Sequence, residues 1–222
     1  VHAAHYLRIN DLLKSRCKTM IIYGDIILTR SEILDLIPQD IILMDWQYYP
    51  AEHYDTIPKL AKYDFPLMVL PGMNNWDRIF PTMSSAMINI RNFTLDGMRH
   101  GCIGSFTSTW GDNGSKNLRE LLYSGYAYGG EVTWSPTTTD VGSFHRRFFT
   151  LHNGPGTSPY FESIYAHLEK WPWWYPILDY FRHPFLPRRD EKPHTEQDLY
   201  RVGEDARVAR ELIEVLRPKV TR

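Results

Sequence analysis

Four short apolar runs, at residues 20–23, 41–44, 65–70 and 101–106, recur along the first half of this chain, and the segments between them carry apolar residues at helical spacing. A strand covered on one face alternates apolar and polar residues, whereas a strand covered on both reads as a continuous apolar run. Four such runs alternating with helices therefore predict an α/β fold with a parallel sheet. A helix through Tyr6, Ile9, Leu12 and Leu13 precedes the first run, which ends at Gly24-Asp25. Ser31 and Glu32 open a second helix over Ile33 to Ile37, closed by Pro38. Pro50 and Glu52 open a third, to about Lys62, and a fourth covers Ser84 to Met98. A closed barrel and an open sheet both satisfy this order. Loops carrying aromatic, Asp and Asn residues follow every run, which favours a barrel, because barrel sites assemble from the loops after the strands. Four units make half of an eight-unit barrel.

Beyond about Gly130 the pattern changes to a stretch rich in Thr, Ser, Gly, Pro and His that extends to Pro159. Helices follow at Tyr160 to Lys170 and Glu196 to Leu216, with an aromatic, proline-stapled turn at residues 171–176. On the last helix Leu199, Val202, Ala206, Ala209, Leu212, Ile213 and Leu216 line one face.

Charge and residue counts exclude several classes. With 25 Lys and Arg against 26 Asp and Glu, the net charge is -1, and the phosphate attraction of a nucleic-acid binder has no source. The apolar runs fall far short of the roughly 20 residues that span a bilayer, so no membrane segment and no targeting core is expected. Cys17 and Cys102 are too few for a zinc quartet or a disulfide framework and read as unpaired thiols. The 9 His residues show no ligand spacing, so neither a metal nor another cofactor is expected. Gly125, Gly129 and Gly130 lack a phosphate-binding fingerprint and read as close packing. The Asn92-Phe93-Thr94 pattern falls in a helical stretch and reads as accidental. The chain opens at Val1, without a methionine, and is expected to be a segment of a longer protein.

Aromatic residues make up 14% of the chain, with 7 Trp and 14 Tyr, and they gather where the strands end. The fourth run leads into Thr107-Ser108-Thr109-Trp110-Gly111-Asp112. A Trp face accepts the polarised C–H groups of a pyranose, and a nearby carboxylate accepts hydrogen bonds from its hydroxyls. Trp110 as core and Asp112 as the cap of a helix near Lys116 is the competing interpretation. Tyr23 with Asp25, Asp45 with Trp46 and Tyr48, and Asn74, Asn75 and Trp76 repeat this chemistry at the other three strand ends. Consecutive strands of a barrel would bring all four sets to one mouth.

These residues, in this order, resemble the carboxyl-terminal half of the catalytic barrel of glycoside hydrolase family 20, the β-N-acetylhexosaminidases. The likeness rests on Ile21-Ile22-Tyr23-Gly24-Asp25-Ile26, Met44-Asp45-Trp46-Gln47-Tyr48, Leu70-Pro71-Gly72-Met73-Asn74-Asn75-Trp76 and the stretch from Gly101 to Gly114. It covers residues 1–134 as strands five to eight of a (β/α)8 barrel and leaves 135–222 as a mainly helical appendage. The resemblance implies retaining hydrolysis in which the substrate's own 2-acetamido group attacks the anomeric carbon. The family's Asp-Glu pair follows the fourth barrel strand, which would lie before Val1. Asp190-Glu191 sits in a polar loop and Glu204-Asp205 is reversed on a helix, so this chain is expected to lack its general acid.

What carries over is sugar holding. Trp110 matches a wall of the N-acetyl pocket, and Asp112 a hydroxyl-binding carboxylate that is more often Glu. Tyr23 matches an aromatic position that is often Trp, and Trp46 the wall after strand six. After strand seven many members place a Tyr and an Asp where this chain has Asn74, Asn75 and Trp76. The expected substrate-binding set is therefore Tyr23, Asp25, Trp46, Tyr48, Asn74, Asn75, Trp76, Trp110 and Asp112. The expected function is part of an enzyme that removes terminal β-linked N-acetylhexosamine. A non-catalytic carbohydrate-binding remnant and a glycosidase of another barrel family are the alternatives. The expected partners are a glycan or amino-sugar substrate, together with a missing amino-terminal half-barrel or a second copy of the chain.

Overall fold

A computed structural model describes residues 1–76, 78–112, 117–136, 140–170 and 196–220. Within them the chain is α/β, with a four-stranded parallel sheet in sequential order. Close contacts divide it into two units, each described on its own: residues 1–72, 88–108 and 129–138 form one, and residues 73–87, 109–128 and 139–222 the other.

The first unit opens with α1 (His2–Lys14). This helix ends in a Schellman turn: Lys18 N–H donates to Leu13 O at 3.0 Å and Cys17 N–H to Lys14 O at 3.0 Å. Cys17 holds the left-handed position at φ 54°, where glycine is usual. Strand β1 (Ile21–Tyr23) follows, then α2 (Gly24–Thr29) and a 3-10 turn over Ser31–Leu36. Next come β2 (Ile42–Gln47), α3 (Thr56–Leu60) and β3 (Leu67–Pro71). Helix α4 (Met83–Arg99) and the short β4 (Gly104–Ser105) complete the sheet.

The register decides which side chains share a face. Ile22 pairs with Leu43 and Leu43 with Leu67, and this row joins Ile9 and Leu13 of α1, Ile27 of α2 and Leu60 of α3 in one apolar core. Val69, two residues beyond Leu67 on the same face, packs with Phe93 of α4 and with Tyr54 and Ile57. Four helices thus cover one face of the sheet. A doubly wound sheet reverses its strand order; this one keeps it sequential.

Three local expectations change. Gly24-Asp25 begins α2 instead of a turn, and a β-carbon on Gly24 would stand 2.8 Å from Leu60 Cδ1 and displace that methyl. The helix expected from residue 50 shrinks to α3, because α4 side chains capture the backbone of the preceding loop. Tyr54 N–H donates to Asp96 Oδ2 at 2.8 Å, and Ala51 O accepts from Asn92 Nδ2 at 2.7 Å. The stretch expected to be irregular up to Pro159 contains a helix from Val141, whose capping Asp140 side chain accepts from Ser143 N–H at 2.7 Å.

The helices of the second half are α5 (Tyr123–Trp134), α6 (Val141–Asn153), α7 (Ser158–Leu168) and α8 (Glu196–Leu216). In the second unit α7 and α8 are joined at their polar edge by Asp205, which binds His167 Nδ1 at 2.6 Å and Lys170 Nζ at 3.1 Å. Phe149 of α6 stacks on Phe161 of α7 with centroids 4.7 Å apart and planes 5° from parallel. Beside them lies a cavity of about 550 Å³, also lined by Leu168 and Leu216. Among the described residues no helix is long and apolar enough to cross a membrane. The aromatic turn at 171–176 and Asp190-Glu191 lie outside the described residues.

Candidate functional site

The first unit holds Tyr23, Asp25, Trp46 and Tyr48. Tyr23 is paired in register with Met44, and Trp46 stands two residues beyond Met44, so both rings project from the sheet face opposite the helices. Both sit at carboxyl ends of parallel strands, with exposures of 46% for Tyr23 and 36% for Trp46. Half-exposed rings on a sheet face are unusual for parallel strands, which normally bury both faces. The Trp46 ring leans on Tyr48, centroids 5.1 Å apart and planes inclined by 31°. Asp25 lies in the first turn of α2, exposed to solvent.

Asp45, between these aromatics in sequence, turns the other way. Strand alternation sends it to the helix-covered face, where it is buried. Thr56 Oγ1 donates to its Oδ2 at 2.5 Å, and Gln47 Nε2 donates to its Oδ1 at 3.3 Å. Burial raises the Asp45 pKa; the bonds from Thr56 and Gln47 oppose the rise, and the negative charge of Asp25 adds to it. Asp45 therefore ties strand β2 to the start of α3 and does not face the aromatic wall.

Asn74, Asn75, Trp76, Trp110 and Asp112 belong to the second unit. Asn74 adopts a left-handed backbone at φ 48°, a conformation asparagine tolerates better than most residues. It is buried, and its Nδ2 donates to Ser85 Oγ at 3.1 Å. Asn75, 4% exposed, reads the backbone of Trp110 from both sides: its Nδ2 donates to Trp110 O at 3.0 Å and its Oδ1 accepts from Trp110 N–H at 3.4 Å. Asn117 completes the clasp by donating from Nδ2 to Asn75 O at 2.6 Å and to Arg78 O at 3.3 Å. The Trp110 ring remains 37% exposed while its main chain is pinned, and Asp112 is exposed. Trp76 is half-buried.

Sequence reasoning missed the residues that hold these loops. Asn89 of α4, fully buried, donates through Nδ2 to Tyr49 O at 3.1 Å and to the Tyr54 hydroxyl at 2.9 Å. Its Oδ1 accepts from Gly72 N–H at 2.9 Å. With Asn92 and Asp96 it forms a polar stripe at helical spacing on α4. Three polar residues along an otherwise amphipathic helix were the available signal. Asn117 gave none.

None of the expected sugar-holding residues lines the cavity of the second unit. Among the described residues no group of three or more His, Cys, Asp or Glu is arranged to hold a metal ion. The two thiols are unpaired. No family model matches the chain, and no curated protein matches it either.

Proposed function

We propose that this chain is part of a glycoside hydrolase that removes terminal β-linked N-acetylhexosamine by substrate-assisted retaining hydrolysis. In this reading residues 1–134 are the carboxyl-terminal half of a (β/α)8 barrel, 135–222 are its helical appendage, and the catalytic Asp-Glu pair lies outside the chain. The observation that carries it is the pair of half-exposed rings, Tyr23 and Trp46, at the carboxyl ends of neighbouring parallel strands and on the sheet face opposite α1–α4. That is where a barrel keeps its ligand, and aromatic faces suit the apolar side of a sugar ring. The sequential strand order supports the barrel over an open, doubly wound sheet. In the first unit Tyr23, Trp46 and Tyr48 offer aromatic faces and Asp25 a carboxylate to a sugar; in the second, Trp110 and Asp112 offer the same chemistry. Asn75 acts by holding Trp110.

The orientation of Asp45 favours a second reading, a non-catalytic carbohydrate-binding chain. A buried carboxylate on the helix-covered face does not replace the missing general acid, and Asp205 is engaged with His167 and Lys170. The deciding experiment offers paired 4-nitrophenyl β-glycosides, with and without the 2-acetamido group, to the chain extended upstream to eight strands. Hydrolysis of the acetamido sugar alone is the expected result. Hydrolysis of both equally points to another barrel glycosidase, and sugar binding without turnover points to the second reading.

A further inference from the structure

The wall made by Trp46 and Tyr48 is only as useful as the loop that carries it is fixed, and within the loop the Tyr54 hydroxyl donates to Tyr49 O at 2.9 Å. Residues 48–55 form neither helix nor strand. A polar loop of this kind ordinarily gives its backbone groups to water and moves. Here the backbone is bound by the side chains of one helix. Asn89 takes Tyr49 O, Asn92 takes Ala51 O, and Asp96 takes Tyr54 N–H and lies 3.3 Å from His53 Nδ1. Asn89 alone also spans two strand exits, because its amide oxygen accepts from Gly72 N–H just beyond β3 while its amide nitrogen serves the loop after β2. It is 0% exposed, so water does not compete for these bonds. Tyr54, whose hydroxyl it binds, is clamped between the rings of Tyr49 at 5.5 Å and Phe93 at 4.4 Å.

We propose that Asn89 is a positioning residue for the carbohydrate site: it holds the loop after β2 in one ligand-ready conformation and so sets where Tyr48 stands against Trp46. The proposal rests on the carbohydrate reading given above. An asparagine suits the task because it presents donors and an acceptor from one planar group, matching two acceptors on one side and a peptide N–H on the other. Aspartate keeps the bond from Gly72 N–H but has no proton to give to Tyr49 O or to the Tyr54 hydroxyl, whose own proton already goes to Tyr49 O at 2.9 Å. Two bonds, those from the amide nitrogen, are therefore broken in Asn89→Asp.

The test is a calorimetric titration of the chain with chitobiose in the parent, in Asn89→Asp, in the milder Asn92→Ala and in Trp46→Ala. Hydrogen exchange of residues 48–55 is measured in parallel. Asn89→Asp is expected to raise Kd at least about fivefold, the worth of one of the two hydrogen bonds lost, at unchanged binding stoichiometry, with faster exchange in the loop. Asn92→Ala is expected to act in the same direction. A merely structural asparagine would lower the stoichiometry, as molecules unfold, and leave Kd unchanged; that result overturns the proposal. If Trp46→Ala abolishes binding while neither asparagine variant moves Kd, the positioning role fails and the carbohydrate reading stands. If the parent binds no sugar, or Trp46→Ala binds as the parent does, the carbohydrate reading fails and the proposal fails with it.

Discussion

Asn75 clasps the main chain of Trp110, donating to its carbonyl at 3.0 Å and accepting from its amide at 3.4 Å, across 35 residues of sequence. The exposed indole is thus carried on a backbone that a buried side chain holds from both sides. Replacing Asn75 with Ala removes both of its side-chain bonds to the Trp110 main chain, which costs about 1–3 kcal/mol. Asn75→Asp is expected to cost a similar amount, because the carboxylate satisfies the Trp110 amide but repels its carbonyl. Urea unfolding of both variants against the parent measures this. A loss below about 0.5 kcal/mol in both would remove the clasp from the account.

Asp45 makes a prediction about pH. Burial raises its pKa in the folded chain, so between the ordinary carboxylate value and the raised one the native state holds more protons than the unfolded chain. Stability from this group is then greatest at low pH and falls as pH rises through that interval. Asp45→Asn removes the titration while leaving Thr56 and Gln47 a hydrogen-bonding amide. The variant is expected to match the parent near about pH 4 and to gain on it toward about pH 7, as read from urea midpoints. A parent-to-variant difference that does not change with pH would contradict the assignment.

Two neighbouring glycines in α5 are expected to respond with opposite sign. A β-carbon on Gly130 meets nothing within 4 Å, whereas one on Gly129 runs into Thr107 Oγ1. Alanine gains about 1 kcal/mol over glycine inside a helix, so Gly130→Ala should raise the midpoint of thermal unfolding. In Gly129→Ala the collision with a short, β-branched side chain outweighs that gain, and the midpoint should fall. Equal shifts in both variants would show that Thr107 yields freely.

The two thiols should differ in reactivity. Cys17 is exposed, whereas burial, helped by the negative charges of Asp45 and Asp96, pushes the Cys102 thiol up to about 11. Ellman's reagent at neutral pH is expected to label Cys17 rapidly in the native chain and Cys102 only on unfolding. Rapid labelling of both would mean that the core around Cys102 opens readily.

Much of the framework was legible from the residues in order. The apolar runs lie over all four strands, and the helix expected from Glu196 to Leu216 has those bounds in the structure. The loop at 50–55 reads as helix in sequence because Pro50 and Glu52 are good helix openers, while the Asn89, Asn92 and Asp96 side chains that bind its backbone lie about 40 residues away. Asp45 and Trp46 looked like one motif because they are adjacent. The period of a strand puts adjacent residues on opposite faces, and only the register says which face the helices cover.

The sequence by itself determined the alternation of strands and helices, the parallel sheet and the aromatic character of the strand ends, because each is written in consecutive residues as periodicity, capping and composition. The tertiary structure alone decided that Tyr23 and Trp46 share the face opposite α1–α4, that Asp45 is buried against Thr56, and that Asn75 and Asn89 hold backbone instead of facing solvent. An asparagine's two-sided hydrogen bonding is the same wherever it stands in the chain. Which carbonyl and which amide it satisfies depends on partners 17 to 40 residues distant, brought within 3 Å or so only when the core has packed.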